Sequence, residues 1–80
     1  MEVIGTVKEG AGWYTAAGVV EAGGKPFVRI ARGQAVLGGD PETNAPVKQA
    51  QKLNIKTAAR ARELIDLLEL AATKLEEMEA

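Results

Sequence analysis

The chain has 80 residues, 46% of them hydrophobic and 26% charged, with no Cys, no His and a formal net charge of −1. That length suits one compact globular unit, and the composition excludes a disulfide staple, a thiolate zinc site and an imidazole general base, which leaves oligomerisation as the ordinary supplement to a small core. The opening MEVIGTVKEG has no basic stretch leading into an apolar one, and no run reaches the roughly 18 apolar residues of a membrane span, so the expectation is a cytoplasmic chain with no membrane partner, whether encoded by a cell or a virus.

The net charge hides an asymmetry. Residues 1–56 hold seven bases (Lys8, Lys25, Arg29, Arg32, Lys48, Lys52, Lys56) against five acids (Glu2, Glu9, Glu21, Asp40, Glu42), a balance of +2. Residues 57–80 hold three bases (Arg60, Arg62, Lys74) against six acids (Glu63, Asp66, Glu69, Glu76, Glu77, Glu79), a balance of −3. A polyanion would therefore meet the first two thirds of the chain, and the acidic tail would repel it.

Taken in order, the first half is rich in Val, Ile, Thr and aromatic residues punctuated by glycine, which predicts strands and tight turns. Val3–Lys8 reads as a first strand, with Gly10-Ala11-Gly12 turning into a second over Trp13–Ala22. Gly23-Gly24 before Lys25-Pro26 signals a hairpin, because a primed turn needs the positive φ that glycine adopts without steric cost. The third strand, Phe27–Arg32, alternates: Val28 and Ile30 point one way, and Phe27, Arg29 and Ala31 point to the expected wet face. Gln34–Leu37 could extend it, while Gly38–Pro46 has loop chemistry throughout and is expected to be mobile. Val47–Ile55 fits either an alternating strand or a short helix begun at Pro46, with a strand ending at Leu53–Ile55 favoured.

A single helix is predicted over 57–79, with Thr57 as N-cap and no Gly or Pro after it. Ala61, Leu64, Leu68, Ala71, Leu75 and Met78 recur at spacings of three and four. Ala58, Ile65, Leu67, Leu70 and Ala72 widen the apolar arc beyond half the circumference, leaving a polar line of Arg62, Asp66, Glu69, Thr73 and Glu77. One sheet cannot cover so wide an arc, so burial on two sides is expected, by the chain's own sheet and by another subunit. The contact between subunits falls on Leu64, Leu67, Leu68, Ala71 and Leu75.

No catalytic constellation or cofactor motif emerges. The Glu76-Glu77 and Glu63, Asp66 carboxylates lie on a solvated helix face; the glycine-rich GQAVLGG lacks the GK[ST] ending of a phosphate loop; and with two Asp and no His there is no metal-ligand spacing. The expectation is a chain that is not an enzyme, with no cofactor and no metal. What remains is a sheet on which Trp13, Tyr14 and Phe27 fall near Lys25, Arg29 and Arg32, the pairing that single-stranded nucleic acid uses: bases along the phosphates, rings against unpaired bases.

The run Gly12-Trp13-Tyr14-Thr15, Val19-Val20, Gly23-Gly24-Lys25-Pro26-Phe27-Val28-Arg29-Ile30 with Arg32 resembles the strand-hairpin-strand of the positive cofactor four family. These are transcriptional coactivator-like single-stranded DNA-binding proteins with small bacterial and phage members. Lys52-Leu53-Asn54-Ile55-Lys56-Thr57 leading to Leu64-Ile65 is similar to that family's fourth strand and capped C-terminal helix. The family's Ile-Arg step appears here as Ile30-Ala31-Arg32, which moves the arginine to the other face, and Gln51-Lys52 stands where the family has Lys-Gly. The resemblance implies an α+β fold, a curved antiparallel four-stranded sheet followed by one long helix (ββββα). It also implies a homodimer through that helix, and single-stranded DNA bound by Lys8, Trp13, Lys25, Phe27, Arg29, Arg32 and Lys52, with Lys48 and Lys56 as further candidates.

The expected function is therefore largely sequence-independent binding of single-stranded DNA, or RNA, with its setting in replication, recombination or transcription left open. The alternative is a dimeric structural or protein-interaction module without a nucleic-acid ligand. Arg29 and Arg32 on opposite surfaces together with a buried Phe27 would favour the module.

Overall fold

The computed structural model of the chain describes residues 1–35, 39–41 and 44–80. Four strands, β1 (Glu2–Gly10), β2 (Trp13–Ala22), β3 (Lys25–Gln34) and β4 (Lys48–Ile55), are followed by one helix, α1 (Ala58–Glu79). The strands form a single antiparallel sheet in the order β1-β2-β3-β4, the ββββα architecture expected from the sequence. The ambiguous stretch before the helix is strand. Gly23 and Gly24 both take positive φ, 64° and 81°, the primed turn that matches the twist of β2 and β3.

Register sorts the side chains. β2 and β3 pair from Trp13 with Gln34 to Ala22 with Lys25 without a shift. Both outer strands are interrupted, β1 after Val3 and again after Lys8, and β4 where Ala50 has no partner. Such bulges bend an edge and blunt it as a template for further pairing. Ile4 is the extra residue of the first bulge.

The helix begins where Thr57, in extended backbone, accepts the Arg60 amide on its hydroxyl at 3.1 Å. It then runs for 22 residues, about 33 Å, and approaches only β4 among the strands. None of its residues is buried; Leu67, Leu68 and Leu70 are 60%, 67% and 70% exposed. Between it and the sheet lies an apolar groove of about 620 Å³, walled by Val19, Val28, Ile30, Leu64, Ile65 and Leu68 among others. Among the described residues the buried apolar side chains are few: Tyr14, Ala16 and Ala31 on the sheet face away from the groove, Ile55 at its end, and Pro46 after the third strand.

That distribution departs from one expectation: the face assigned to solvent holds the fully buried Ala31, while Phe27 and Arg29 on it are half-buried, as are Val28 and Ile30 on the opposite face. The chain after β3 also covers the Tyr14 and Gly33 end of that face. Tyr14 donates its hydroxyl to the Asn44 carbonyl at 2.6 Å, Asn44 bonds the Asp40 carbonyl through its backbone amide, Val47 N–H reaches Gln34, and Pro46 is buried against Gly33. A Cβ at Gly33 would overlap the Lys48 carbonyl oxygen, so glycine alone allows that close approach. Within the segment 38–46 expected to be mobile, Gly38, Glu42 and Thr43 lie outside the described residues, as do Val36 and Leu37 of the possible strand extension.

The radius of gyration, 14.1 Å, exceeds the roughly 11.6 Å of a compact chain this long. The exposed surface, 6086 Å², exceeds by roughly 1,500 Å² what a compact chain of 8.4 kDa presents. The helix, none of whose residues is buried, and the largely exposed outer strands contribute to the surplus.

Candidate functional site

Partners across an antiparallel ladder share a face, so the register fixes which side chains meet. Lys8 lies opposite Tyr14, Lys25 opposite Ala22, Phe27 opposite Val20, Arg29 between Gly18 and Asn54, and Lys52 opposite Ala31. All of these share the face that lacks the helix, called here the basic face. Small residues, Ala16, Gly18, Ala31 and Gly33, occupy its centre on β2 and β3, and the Met1 side chain lies over Gly18.

Charge is divided along the same line. Four strand bases stand on the basic face, and the strand acids Glu2 and Glu21 fall on the opposite face with Val19 and Pro26. Glu9 also reaches that side, where it meets Arg32. At the end of the sheet near the β2–β3 turn, Arg29 Cζ stands 5.6 Å from the centre of the Phe27 ring, and Arg29 Nε–H donates to Asn54 Oδ1 at 2.8 Å. A cation over a ring and an amide acceptor hold the guanidinium in place without neutralising it.

Arg32 and Trp13 are not part of this cluster. Arg32 pairs with Thr15 and Gln51 on the groove-side face. There its Cζ sits 4.5 Å from the Trp13 ring centre, and Nε and Nη2 each donate to one oxygen of Glu9, at 2.7 and 2.8 Å. This two-point pair is charge-assisted on both bonds. Its hydrogen bonds hold the Glu9 carboxyl below its ordinary value and push the Arg32 guanidinium up. On the basic face, burial pushes the Tyr14 phenol up.

Of the seven residues expected to bind nucleic acid, the structure thus puts Lys8, Lys25, Phe27, Arg29 and Lys52 on one face, spread along the length of the sheet, and Trp13 and Arg32 on the other. The two arginines do lie on opposite surfaces, but Phe27 is half-buried, so only half of the condition for an interaction module holds. Two side chains that sequence reasoning passed over hold the arginines, Asn54 beside Arg29 and Glu9 beside Arg32. Both pairings depend on cross-strand register, for which a single sequence offers no direct signal. Lys48 falls on the groove-side face with Gln34, and Lys56 follows β4 at the mouth of the groove. Of the subunit-contact candidates, Leu64 and Leu68 line the groove, and Leu67, Leu68, Ala71 and Leu75 are all exposed. Among the described residues no cluster of acids could hold a metal ion, and no helix is long and apolar enough to cross a membrane.

No known family model, curated protein or solved structure matches this chain.

Proposed function

We propose that the chain binds single-stranded nucleic acid, DNA in the first instance, as a homodimer that grips the strand across the basic face with little sequence preference. One observation carries the reading: the strands contribute four bases, a half-buried phenylalanine and no acid to that face. Bases so sorted follow a phosphate backbone, and a ring among them offers a stacking platform that tolerates any base. The proposal involves no enzymatic step and no cofactor.

A second copy of the chain is its other partner. A surplus of roughly 1,500 Å² on each of two copies amounts to an interface in the range of obligate homodimers. The helix also runs against its own dipole, with Arg60 and Arg62 near its N-terminus and Glu76, Glu77 and Glu79 at its C-terminus. Laid antiparallel against a second copy, the basic end of each helix meets the acidic end of the other.

Fluorescence titration of a labelled dT oligonucleotide of about 20 nucleotides, longer than the roughly 4–16 that one small module covers, tests the reading at low and physiological salt. Wild-type protein binds, and more weakly as salt rises. Phe27→Ala weakens binding by about 1–3 kcal/mol and leaves the salt slope unchanged, because stacking releases no counterions. Absence of binding at low salt, or a Phe27→Ala chain that merely unfolds, overturns the reading in favour of the interaction module, for which the open groove would be the docking surface.

A further inference from the structure

Resting on that reading, we propose that Asn54 is a positioning residue. It holds Arg29 so that the two terminal guanidinium nitrogens form a charged fork for a phosphodiester group.

The geometry determines which atoms remain available. Arg29 Nε can only donate, so the amide turns its oxygen to it, and that bond occupies the Nε side of the guanidinium. Among the described residues the two terminal nitrogens of Arg29 carry no hydrogen bond, nor does the Asn54 amide nitrogen. The donors left over are the parallel terminal pair, the arrangement that meets two phosphate oxygens at once. Phe27 borders the same guanidinium, so the long arginine chain is restrained both by a ring and by an amide before any ligand arrives. A side chain held in its binding pose loses less freedom when it binds.

The residue type supports the assignment. Asn is depleted in strands, and here it is the penultimate residue of β4, directly opposite Arg29. The pair Arg32–Glu9 shows the same sheet securing an arginine in the other way, with a carboxylate that cancels its charge. An amide fixes the geometry and preserves the charge, which a phosphate-binding arginine requires and a purely structural one does not.

The test compares wild type, Asn54→Ala, Asn54→Asp, Arg29→Ala and the double variant Arg29→Ala/Asn54→Ala, with the same oligonucleotide across a salt series and with thermal melts. Asn54→Ala lowers affinity about 2- to 10-fold, the weight of one immobilised interface side chain, without changing the salt slope. In the Arg29→Ala background it lowers affinity no further. Asn54→Asp retains the bond and the melting temperature yet reduces the salt slope as Arg29→Ala does, by roughly 0.7 per subunit. Equal losses from Asn54→Ala in both backgrounds, or an Asn54→Asp variant that binds with an unchanged slope, overturn the proposal. If wild type binds and Asn54→Ala is indistinguishable from it, this inference alone falls; if wild type does not bind at low salt, the functional reading falls with it.

Discussion

β3 carries two arginines three positions apart, and the sheet treats them oppositely. Arg29 faces the side with no strand acid and is steadied by a neutral amide and a ring. Arg32 faces the groove side and is locked to Glu9 at two points against Trp13. The two side chains have the same chemistry, but one retains a charge that can act on a ligand and the other spends its charge joining β3 to the end of β1. Residue type alone therefore does not tell which arginine keeps its charge available; the partner each one meets does, Asn54 from the adjacent β4 and Glu9 from β1, one strand beyond β2.

The largest expected effect lies on the groove side. If the apolar helix and groove are completed by a second copy, light scattering gives a mass near twice 8.4 kDa, and the melting temperature rises with protein concentration. Leu68→Asp, a charge in the groove wall, should abolish both the dimer and cooperative unfolding. A wild-type mass of one chain with cooperative unfolding would refute this.

On the basic face, the largest stability effect should come from Tyr14, which is 2% exposed. Tyr14→Ala should cost about 3–5 kcal/mol in denaturant unfolding, and Tyr14→Phe, which loses only the hydroxyl bond to Asn44, about 1 kcal/mol. Because the folded phenol titrates above its ordinary value, stability is fully present below about pH 10 and falls as pH rises from there through the raised value. Tyr14→Phe should flatten that alkaline decline.

The arginine contrast itself predicts a smaller and more diagnostic difference. Arg29→Ala should lower the salt slope of oligonucleotide binding by roughly 0.7 per subunit, and Arg32→Ala should leave it unchanged. Equal slopes for the two variants would erase the distinction between the faces. The smallest effect concerns Glu9. Its carboxyl is held low by Arg32, so its contribution to stability is present above the ordinary carboxylate value and is lost as pH falls through the lowered one. Melting curves from about pH 6 to pH 3 should show Glu9→Gln losing less stability toward acid than wild type.

Much of the scaffold was legible because local chemistry dictated it. The Trp13–Ala22 strand, the Gly23-Gly24 turn and the Thr57-capped helix each carry their signal within a few residues. Site composition was legible in part, since alternation alone puts Phe27 and Arg29 on one face and Arg32 on the other. The partners Asn54 and Glu9 were not, because each comes from more than twenty residues away, Asn54 by pairing of β4 with β3 and Glu9 by reaching from β1 past β2. The contacts of Asn44 with Tyr14 and of Pro46 with Gly33 were also illegible, because the path of a connection has no periodicity to read.

The unbroken register between β2 and β3 has a kinetic consequence. This hairpin joins adjacent segments through a two-residue turn, so its closure involves a short loop and can proceed in microseconds. β4 must return across the longer connection after Gln34, and β1 must settle around two bulges. The central hairpin should thus form before either outer strand docks. Its amides, those of Ala17 and Ile30 among them, should be the last in the sheet to exchange with solvent.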